Sequence, residues 1–311
     1  MKDKLFIVII LIIVSIGLPF LSKGKERNIP EKINLFLTDE DIITELTPEE
    51  YLVGCLAAQI PIDYEQEALN AQAAAAMTYA VRLMTDFENN NPNIPEGADL
   101  SDDGKICQPY YTYEDAVAAY GESYNDYLPS LEKAAAYGAG HIITFNNEPI
   151  YSVYHSVSAG RTNSAMGIWG RDFGYIKPVD SKWDESYINF ECRNEMTTEQ
   201  ARLSLVSYME GISTPVDYGK WFSELNADEN GYVISVKIGD NVFSGGDIWR
   251  IFGLRSTAFT VSYQNGIFTF VTKGYGHGAG LSQYGANELA KEGKTAAEIL
   301  RYYYSGDIEI G

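Results

Sequence analysis

The chain has 311 residues, 45% of them hydrophobic and 13% aromatic, with 23 tyrosines, which is the composition of a folded protein with a sizeable core and much amphipathic surface, and not of a disordered one. Its formal net charge of −20 argues against nucleic acid or an anionic membrane face as partner, since both select for basic patches, and is better suited to a neutral or zwitterionic polymer. The three cysteines, Cys55, Cys107 and Cys192, are widely spaced and form no CxxC pair, so at most one disulfide can form and none is needed.

In chain order, Leu5 to Leu21 is an uncharged 17-residue run, at the short end for a membrane span and longer than a usual signal-peptide core. No Ala-x-Ala site follows; Lys23, Lys25, Glu26 and Arg27 do, which favours an uncleaved signal anchor. Residues 1–27 are therefore expected to be a membrane anchor with a short polar start and a basic flank, and 28–311 one large domain or two packed ones. Positive charge on both sides of the run does not choose its orientation. Lys32 to Leu37 and then Ile42-Ile43 are too short for helices and suit one or two opening strands.

Thr47-Pro48-Glu49-Glu50 predicts a helix start, with Thr47 as N-cap, Pro48 at the first helical position and Glu50 three residues past the cap. Leu52, Cys55 and Leu56 face a core, and Pro61 stops this helix near Ile60. Asp63 offers a cap for a second helix in which Leu69, Ala73, Ala76 and Ala80 recur at helical spacing; so many alanines predict close packing. Gln59 stands at the bend between the two helices, where a helix end can present a side chain to a cleft.

Residues 89–108 are rich in Asn, Asp, Gly and Pro and predict an irregular surface excursion, whereas 113–137 return to helical spacing. Residues 140–145 and 149–154 flank Asn146-Asn147-Glu148, a hairpin signal. The second of these runs passes into the small, polar stretch His155-Ser156-Val157-Ser158-Ala159-Gly160-Arg161-Thr162. A helix is expected over 196–209 capped by Thr197 or Thr198, a strand at 233–238 turning back into Val242-Phe243, a helix from Ser244 to Phe252, and a hairpin of 257–263 with 266–272. The stretch 273–286 then places five glycines around His277 before a last helical region; glycine at that density permits close backbone approach. It lacks the Lys-Ser/Thr ending of a phosphate-binding loop, and neither Ser156 nor Ser282 sits in a nucleophile elbow. His141, His155 and His277 have no His or Cys at ligand spacing, which makes a structural zinc site an unpromising reading and leaves no cofactor expected.

Two of these stretches carry a family resemblance. Gln59-Ile60-Pro61 followed by Glu67-Ala68-Leu69-Asn70-Ala71-Gln72-Ala73-Ala74-Ala75-Ala76-Met77-Thr78-Tyr79 resembles the Glu-Met-Pro bend and EALKAQAVAARTY-like helix of the stage II sporulation protein D (SpoIID) and amidase-enhancer family. Residues 274–290 resemble that family's GFGHGVGMSQYGANGMA segment, and 172–183 its segment of an extended strand followed by a Ser-Pro-Trp-Asp turn, of which Trp183-Asp184 keeps the last two residues, so the resemblance implies a strand within 172–183; the likeness runs from about Thr47 to the C-terminus and is weakest over 89–135 and 184–230. The resemblance implies a peptidoglycan lytic transglycosylase, in which one carboxylic acid protonates the leaving glycosidic oxygen and then helps the muramic acid 6-hydroxyl attack C1, giving a 1,6-anhydro end. The family's acid corresponds to Gln59 here and its Arg to Met77.

Either the protein binds glycan strands with impaired or absent cleavage, positioning a cell-wall amidase or another enzyme, or another acid such as Glu65 or Glu67 has taken over; the two losses favour the first. The implied substrate-contacting residues are His155, Ser156, Ser158, Arg161, Tyr275, His277, Ser282, Gln283 and Tyr284, meeting Gln59 at one groove. The expected partners are peptidoglycan glycan strands, an amidase and other sporulation membrane proteins, with no nucleic acid. The expected fold is mixed α+β, an N-terminal helix pair on an antiparallel β-rich body after one N-terminal transmembrane helix, anchored in the cell membrane by a single pass; the resemblance implies that the body lies outside the cytoplasm, which makes the short start of 1–27 cytoplasmic. The full-length protein should accordingly fractionate with membranes and expose residues 28–311 to protease from the outer side; a soluble mature form beginning near Lys23 would overturn this.

Overall fold

The computed structural model describes residues 29–87, 92–209, 212, 214–215 and 217–311; the expected anchor lies outside them. Among the described residues no helix is long and apolar enough to cross a membrane. The architecture is mixed α+β and divides into two compact units, the first ending at Ser152 and reclaiming Asp307–Gly311, the second running from Val153 to Gly306.

In the first unit, strands β1 (Ile33–Leu37) and β2 (Ile42–Leu46) pair as an antiparallel hairpin, and β3 (Leu100–Ser101) adds to β1 in parallel. The excursion 89–108 is thus less irregular than its composition suggests: after Pro95 it returns to the sheet edge, where Asp99 accepts from the Asn34 backbone N–H at 2.8 Å. Helix α1 (Pro48–Gln59) begins with the expected capping box, Thr47 and Glu50 satisfying each other's backbone N–H groups. It ends at Ile60, whose extended backbone leads into Pro61.

Asp63 does not cap the second helix. Residues 61–65 form a turn closed by the Tyr64 N–H on the Pro61 carbonyl, and α2 (Gln66–Phe87) starts only where the Glu65 carbonyl accepts from Ala68 and Leu69. The helical region 113–137 divides into α3 (Tyr113–Tyr120) and α4 (Tyr124–Gly138) around Gly121, whose φ of 68° ends the first. Then β4 (Ile143–Phe145) and β5 (Glu148–Pro149) form the Asn146-Asn147 hairpin, both asparagines having positive φ, and Glu309–Ile310 pairs with β4 on its other side. Two apolar clusters hold the unit: one joins β1, α1 and α2 through Leu35, Tyr51, Cys55, Met77 and Ala80; the other joins α1, α2 and α4 through Leu56, Leu69, Ala73 and Leu131.

The second unit opens with β6 (Tyr154–His155), which pairs in parallel with Leu281–Ser282. Residues 172–183 form no strand, only the single bridge of Asp180 with Arg161, because Gly174 and Pro178 interrupt the run. Strand β7 (Glu191–Thr197), absent from the expectations, continues into α6 (Thr198–Tyr208), after the short α5 (Ala165–Trp169) earlier in the unit; Thr197 forms a capping box with Gln200. Strands β8 (Ser223–Ala227), β9 (Val233–Ile238) and β10 (Asn241–Ser244) form one antiparallel sheet and the hairpin β11 (Phe259–Gln264) and β12 (Ile267–Lys273) forms another with β7. Helix α7 (Gly245–Phe252) starts at Ser244 as expected, and Trp221, Phe252, Phe268 and Phe270 form a buried aromatic core.

The alanine-rich face of α2 packs against α4 at backbone range. A Cβ on Gly138 would lie 2.7 Å from the Ala73 carbonyl carbon and 2.8 Å from its Cβ. Gly138→Ala would gain about 1 kcal/mol of helix propensity, but backbone atoms cannot step aside, so overpacking at about 1–3 kcal/mol outweighs the gain. The variant should unfold at lower urea concentration than the unmodified protein.

Candidate functional site

The first unit holds Gln59 and Met77. Gln59 is half-buried in the last turn of α1, and its amide Nε2–H donates to the Pro109 carbonyl at 2.9 Å. A carboxyl side chain in this place could make that bond only with its proton on, since a carboxylate and a carbonyl are both acceptors. The position therefore favours a protonated acid, and the amide reproduces the protonated form's hydrogen bond without its proton transfer. Met77 is fully buried in the apolar cluster of β1, α1 and α2. Beside it Gln108 donates from Nε2 to the Tyr51 hydroxyl at 3.1 Å and to the Ala76 carbonyl at 3.0 Å.

Glu65 is exposed at the foot of α2, and Glu67, in its first turn, accepts from Asn70 at 3.2 Å. The unit's buried cation is Arg82, which sequence reasoning passed over. It reaches Asp86 and Glu148, each at 3.2 Å, and lies 4.4 Å from the Tyr151 ring centroid. Tyr151 in turn donates to Asp86 at 2.7 Å, so this network fastens α2 to β5.

The second unit brings the other nine expected residues together. Residues 274, 276, 278 and 280 all have positive φ. Gly276, at φ 105°, would carry a Cβ 2.9 Å from that of His155; Gly278, at φ 81°, would press one 2.5 Å from the Tyr232 ring. Glycine is required there by conformation and by space. The consequence is a backbone laid against 155–163: Tyr275 exchanges both backbone hydrogen bonds with Val157, and the Asn163 N–H donates to the Gly278 carbonyl.

His155 donates from Nδ1 to the Ala279 carbonyl at 3.0 Å, while His277 accepts the Ala279 N–H on its own Nδ1 at 3.1 Å, which puts the His277 proton on Nε2. The rings stand 5.7 Å apart, and Trp169 lies 5.5 Å beyond His277. Burial and the neighbouring His277 push His155 down to about 3, and burial pushes His277 down to about 4, so both are neutral imidazoles near pH 7 and neither is a cationic acid. The buried Nε2 of His155 has no hydrogen-bond partner among the described residues.

Ser158 and Ser282 point inward onto Asp184, a fully buried carboxylate. It accepts from the Ser158 backbone N–H at 2.7 Å and from the Ser282 hydroxyl at 2.8 Å. Ser282 also caps α8 (Gln283–Lys291). Gln283 is buried, and Arg161 is committed to Asp180 at 2.6 Å. The residues that reach solvent are Ser156, Arg161, His277, Tyr284 and above all Tyr275, 46% exposed under the Arg255 guanidinium. Sequence reasoning missed Asp184 as the group holding the two motif segments, although Trp183-Asp184 was visible. It also missed Tyr232, whose hydroxyl accepts from the Ala159 N–H and donates to the Arg161 carbonyl. Among the described residues no three His, Cys, Asp or Glu side chains gather as a metal site, and the three cysteines are free.

The sequence profile of the family described as Stage II sporulation protein matches residues 38–145. Stage II sporulation protein D of Bacillus subtilis (strain 168) is 34% identical over 287 residues, covering 92% of this chain and 81% of that protein. The protein of the same description from Bacillus amyloliquefaciens is 32% identical over 289 residues, with the same coverage, 92% and 81%. The amidase enhancer of Bacillus subtilis (strain 168) is 24% identical over 303 residues, 82% of this chain but 39% of that protein.

Burial raises the Asp184 carboxyl from 3.8 to about 6, against the lowering effect of its Ser158, Ser282 and Ser181 hydrogen bonds. A folded-state value above the unfolded one favours the fold while the group is protonated. That contribution, complete below about pH 4, is lost as pH rises through 6 and amounts to on the order of 3 kcal/mol. Melting temperatures measured from pH 4 to 8 should therefore fall more steeply in the unmodified protein than in Asp184→Asn.

Proposed function

Because the chain belongs to the stage II sporulation protein D family, we propose that it engages peptidoglycan glycan strands during sporulation or cell-wall remodelling, held at the outer face of the cell membrane, and that it binds these strands without efficiently cleaving them. The amidase enhancer among its relatives supports a cell-wall setting and an amidase as working partner. The observation that carries the catalytic part is the hydrogen bond from Gln59 Nε2 to the Pro109 carbonyl.

Lytic transglycosylation needs one group that gives a proton to the leaving glycosidic oxygen and then takes one from the muramic acid 6-hydroxyl. At position 59 a glutamic acid facing a carbonyl would be held in its protonated form, ready for the first of these steps. Glutamine keeps the shape and the hydrogen bond and can do neither, which costs about 10²- to 10⁴-fold in rate. Met77 is the consistent companion change. With an uncharged Gln59, an arginine at 77 would have to desolvate its guanidinium without the acid as partner, whereas methionine packs into the cluster of Leu35, Tyr51 and Cys55. Glycan recognition falls to the solvent-reaching Tyr275, Tyr284, His277 and Ser156, aromatic faces for sugar rings and neutral donors and acceptors for their hydroxyls.

The test is mass analysis of soluble fragments released from amidase-treated peptidoglycan by the full-length protein. The unmodified protein is expected to bind the strands in a pull-down yet release no anhydro-ended fragments. Gln59→Glu should release them, and Gln59→Glu with Met77→Arg should release more. Anhydro-ended release by the unmodified protein, undiminished in Gln59→Ala, would overturn the silent-enzyme reading and direct attention to Glu65 or Glu67.

A further inference from the structure

The acidic balance of the chain is concentrated in the first unit. Its residues 29–152 and 307–311 hold 24 Asp and Glu against four Lys and Arg, a net charge of −20, whereas residues 153–306 hold 17 against 14, a net of −3, and residues 1–28 contribute +3. Of the first unit's four cations, Arg82 is buried and Lys32 is paired with Glu45. A body so charged attracts basic partners and repels a copy of itself.

The acids crowd one open sheet edge. Strand β2 is the outer strand of the order β2-β1-β3, and among the described residues it pairs with β1 alone, in unbroken register from Ile42 opposite Leu37 to Leu46 opposite Ile33. Its outer side presents strand backbone groups with no strand beside them. Natural proteins blunt such an edge with lysine, proline or a bulge, and Ile42–Leu46 has none of these. It has apolar exposure instead, Ile42 at 51% and Ile43 at 42%. Both lie in the stretch 39–50, whose six acids, Asp39, Glu40, Asp41, Glu45, Glu49 and Glu50, are all exposed and which contains no Lys or Arg.

The two faces of the edge differ. Ile42, Thr44 and Leu46 stand on the side where Leu37, Leu35 and Ile33 are buried, and Ile43 and Glu45 stand on the other. A strand laid beside β2 would set apolar side chains on the first side, extending the rim of the core. On the second it would set long basic side chains, their stems over Ile43 and their charges among the acids. A second copy of this chain offers the same carboxylates and is repelled.

We propose that β2 is a docking edge for a partner protein that contributes an extended segment alternating apolar and basic residues, joined to the first unit's sheet as an added strand. Backbone hydrogen bonds supply the affinity, and the acidic surround selects the charge of the partner. This docking edge is independent of the glycan reading above.

The experiment uses the full-length protein and, as probe, a capped octapeptide alternating Lys and Val. Its controls are the Glu-Val counterpart and the Lys-Val peptide methylated on every backbone nitrogen, which keeps charge and side chains but donates no strand hydrogen bond. The Lys-Val peptide should bind one to one and about tenfold more tightly than its methylated form, the scale of one or two backbone hydrogen bonds. The Glu-Val peptide should not bind, and added salt should weaken the Lys-Val complex. Ile42→Lys, which sets a cation where an apolar side chain would dock, should abolish the preference for the unmethylated peptide. Val242→Lys, the same change at an exposed position of β10, should keep it. Urea midpoints equal to that of the unmodified protein show that both variants are folded. Equal binding of the methylated and unmethylated peptides reduces the attraction to general charge and overturns the docking edge, as does a folded Ile42→Lys protein that keeps the full preference. A dimer of the unmodified protein that Ile42→Lys dissociates would give the edge to a second copy and overturn the basic partner.

Discussion

The second unit depends on one close backbone approach. The run from Gly274 to Gly280 lies against 153–163 so tightly that a Cβ at Gly276 would collide with His155 and one at Gly278 with Tyr232. Every second residue therefore takes a left-handed backbone that only glycine adopts freely. The alternation leaves Tyr275, His277 and Ala279 as the residues with side chains, and it brings the Ala279 carbonyl and N–H to His155 and His277. Once the two segments are joined, burial does the rest: it neutralises both imidazoles, and it encloses Asp184 among Ser158, Ser181 and Ser282. Much of what a sequence motif would suggest as a reactive serine-histidine constellation is in this way a scaffold, with its hydroxyls spent on a buried carboxylate.

In the proposed reading, little has to change in the first unit for a catalytic position to fall silent. Gln59 keeps the end of α1 attached to Pro109 through the same hydrogen bond that a protonated glutamic acid would make. Side-chain shape and local packing are nearly unaltered, so the fold does not register the exchange; only the acid–base chemistry does. Met77 belongs to the same logic, since a residue wholly inside an apolar cluster is stabilised by being apolar. The two units thus contribute different things to the proposed function. In that proposal one holds the position where chemistry would occur, and the other holds exposed aromatic groups suited to sugar rings.

The sequence by itself determined the elements with local causes. The capping box at Thr47, the stop at Pro61, the turn at Asn146-Asn147 and the helix start at Ser244 each follow from a few adjacent residues and are where they were expected, and of the two caps offered at Thr197 and Thr198 the chain uses Thr197. The family was also legible, since the bend with its alanine-rich helix and the glycine-rich run are contiguous strings. The start of α2 was missed because Asp63 satisfies the local rule, yet the turn from Pro61 to Tyr64 takes those residues before a helix can begin. What only the tertiary structure decided are the non-local partners: which serines face inward onto Asp184, which histidine nitrogen carries the proton, and which arginine is buried against Asp86 and Glu148. Partners such as Ser282 and Asp184, or Arg82 and Glu148, lie far apart in the chain, and no local periodicity encodes their meeting. The physical reason is that a side chain's charge state and direction are set by what surrounds it after burial, and burial is a property of the packed chain.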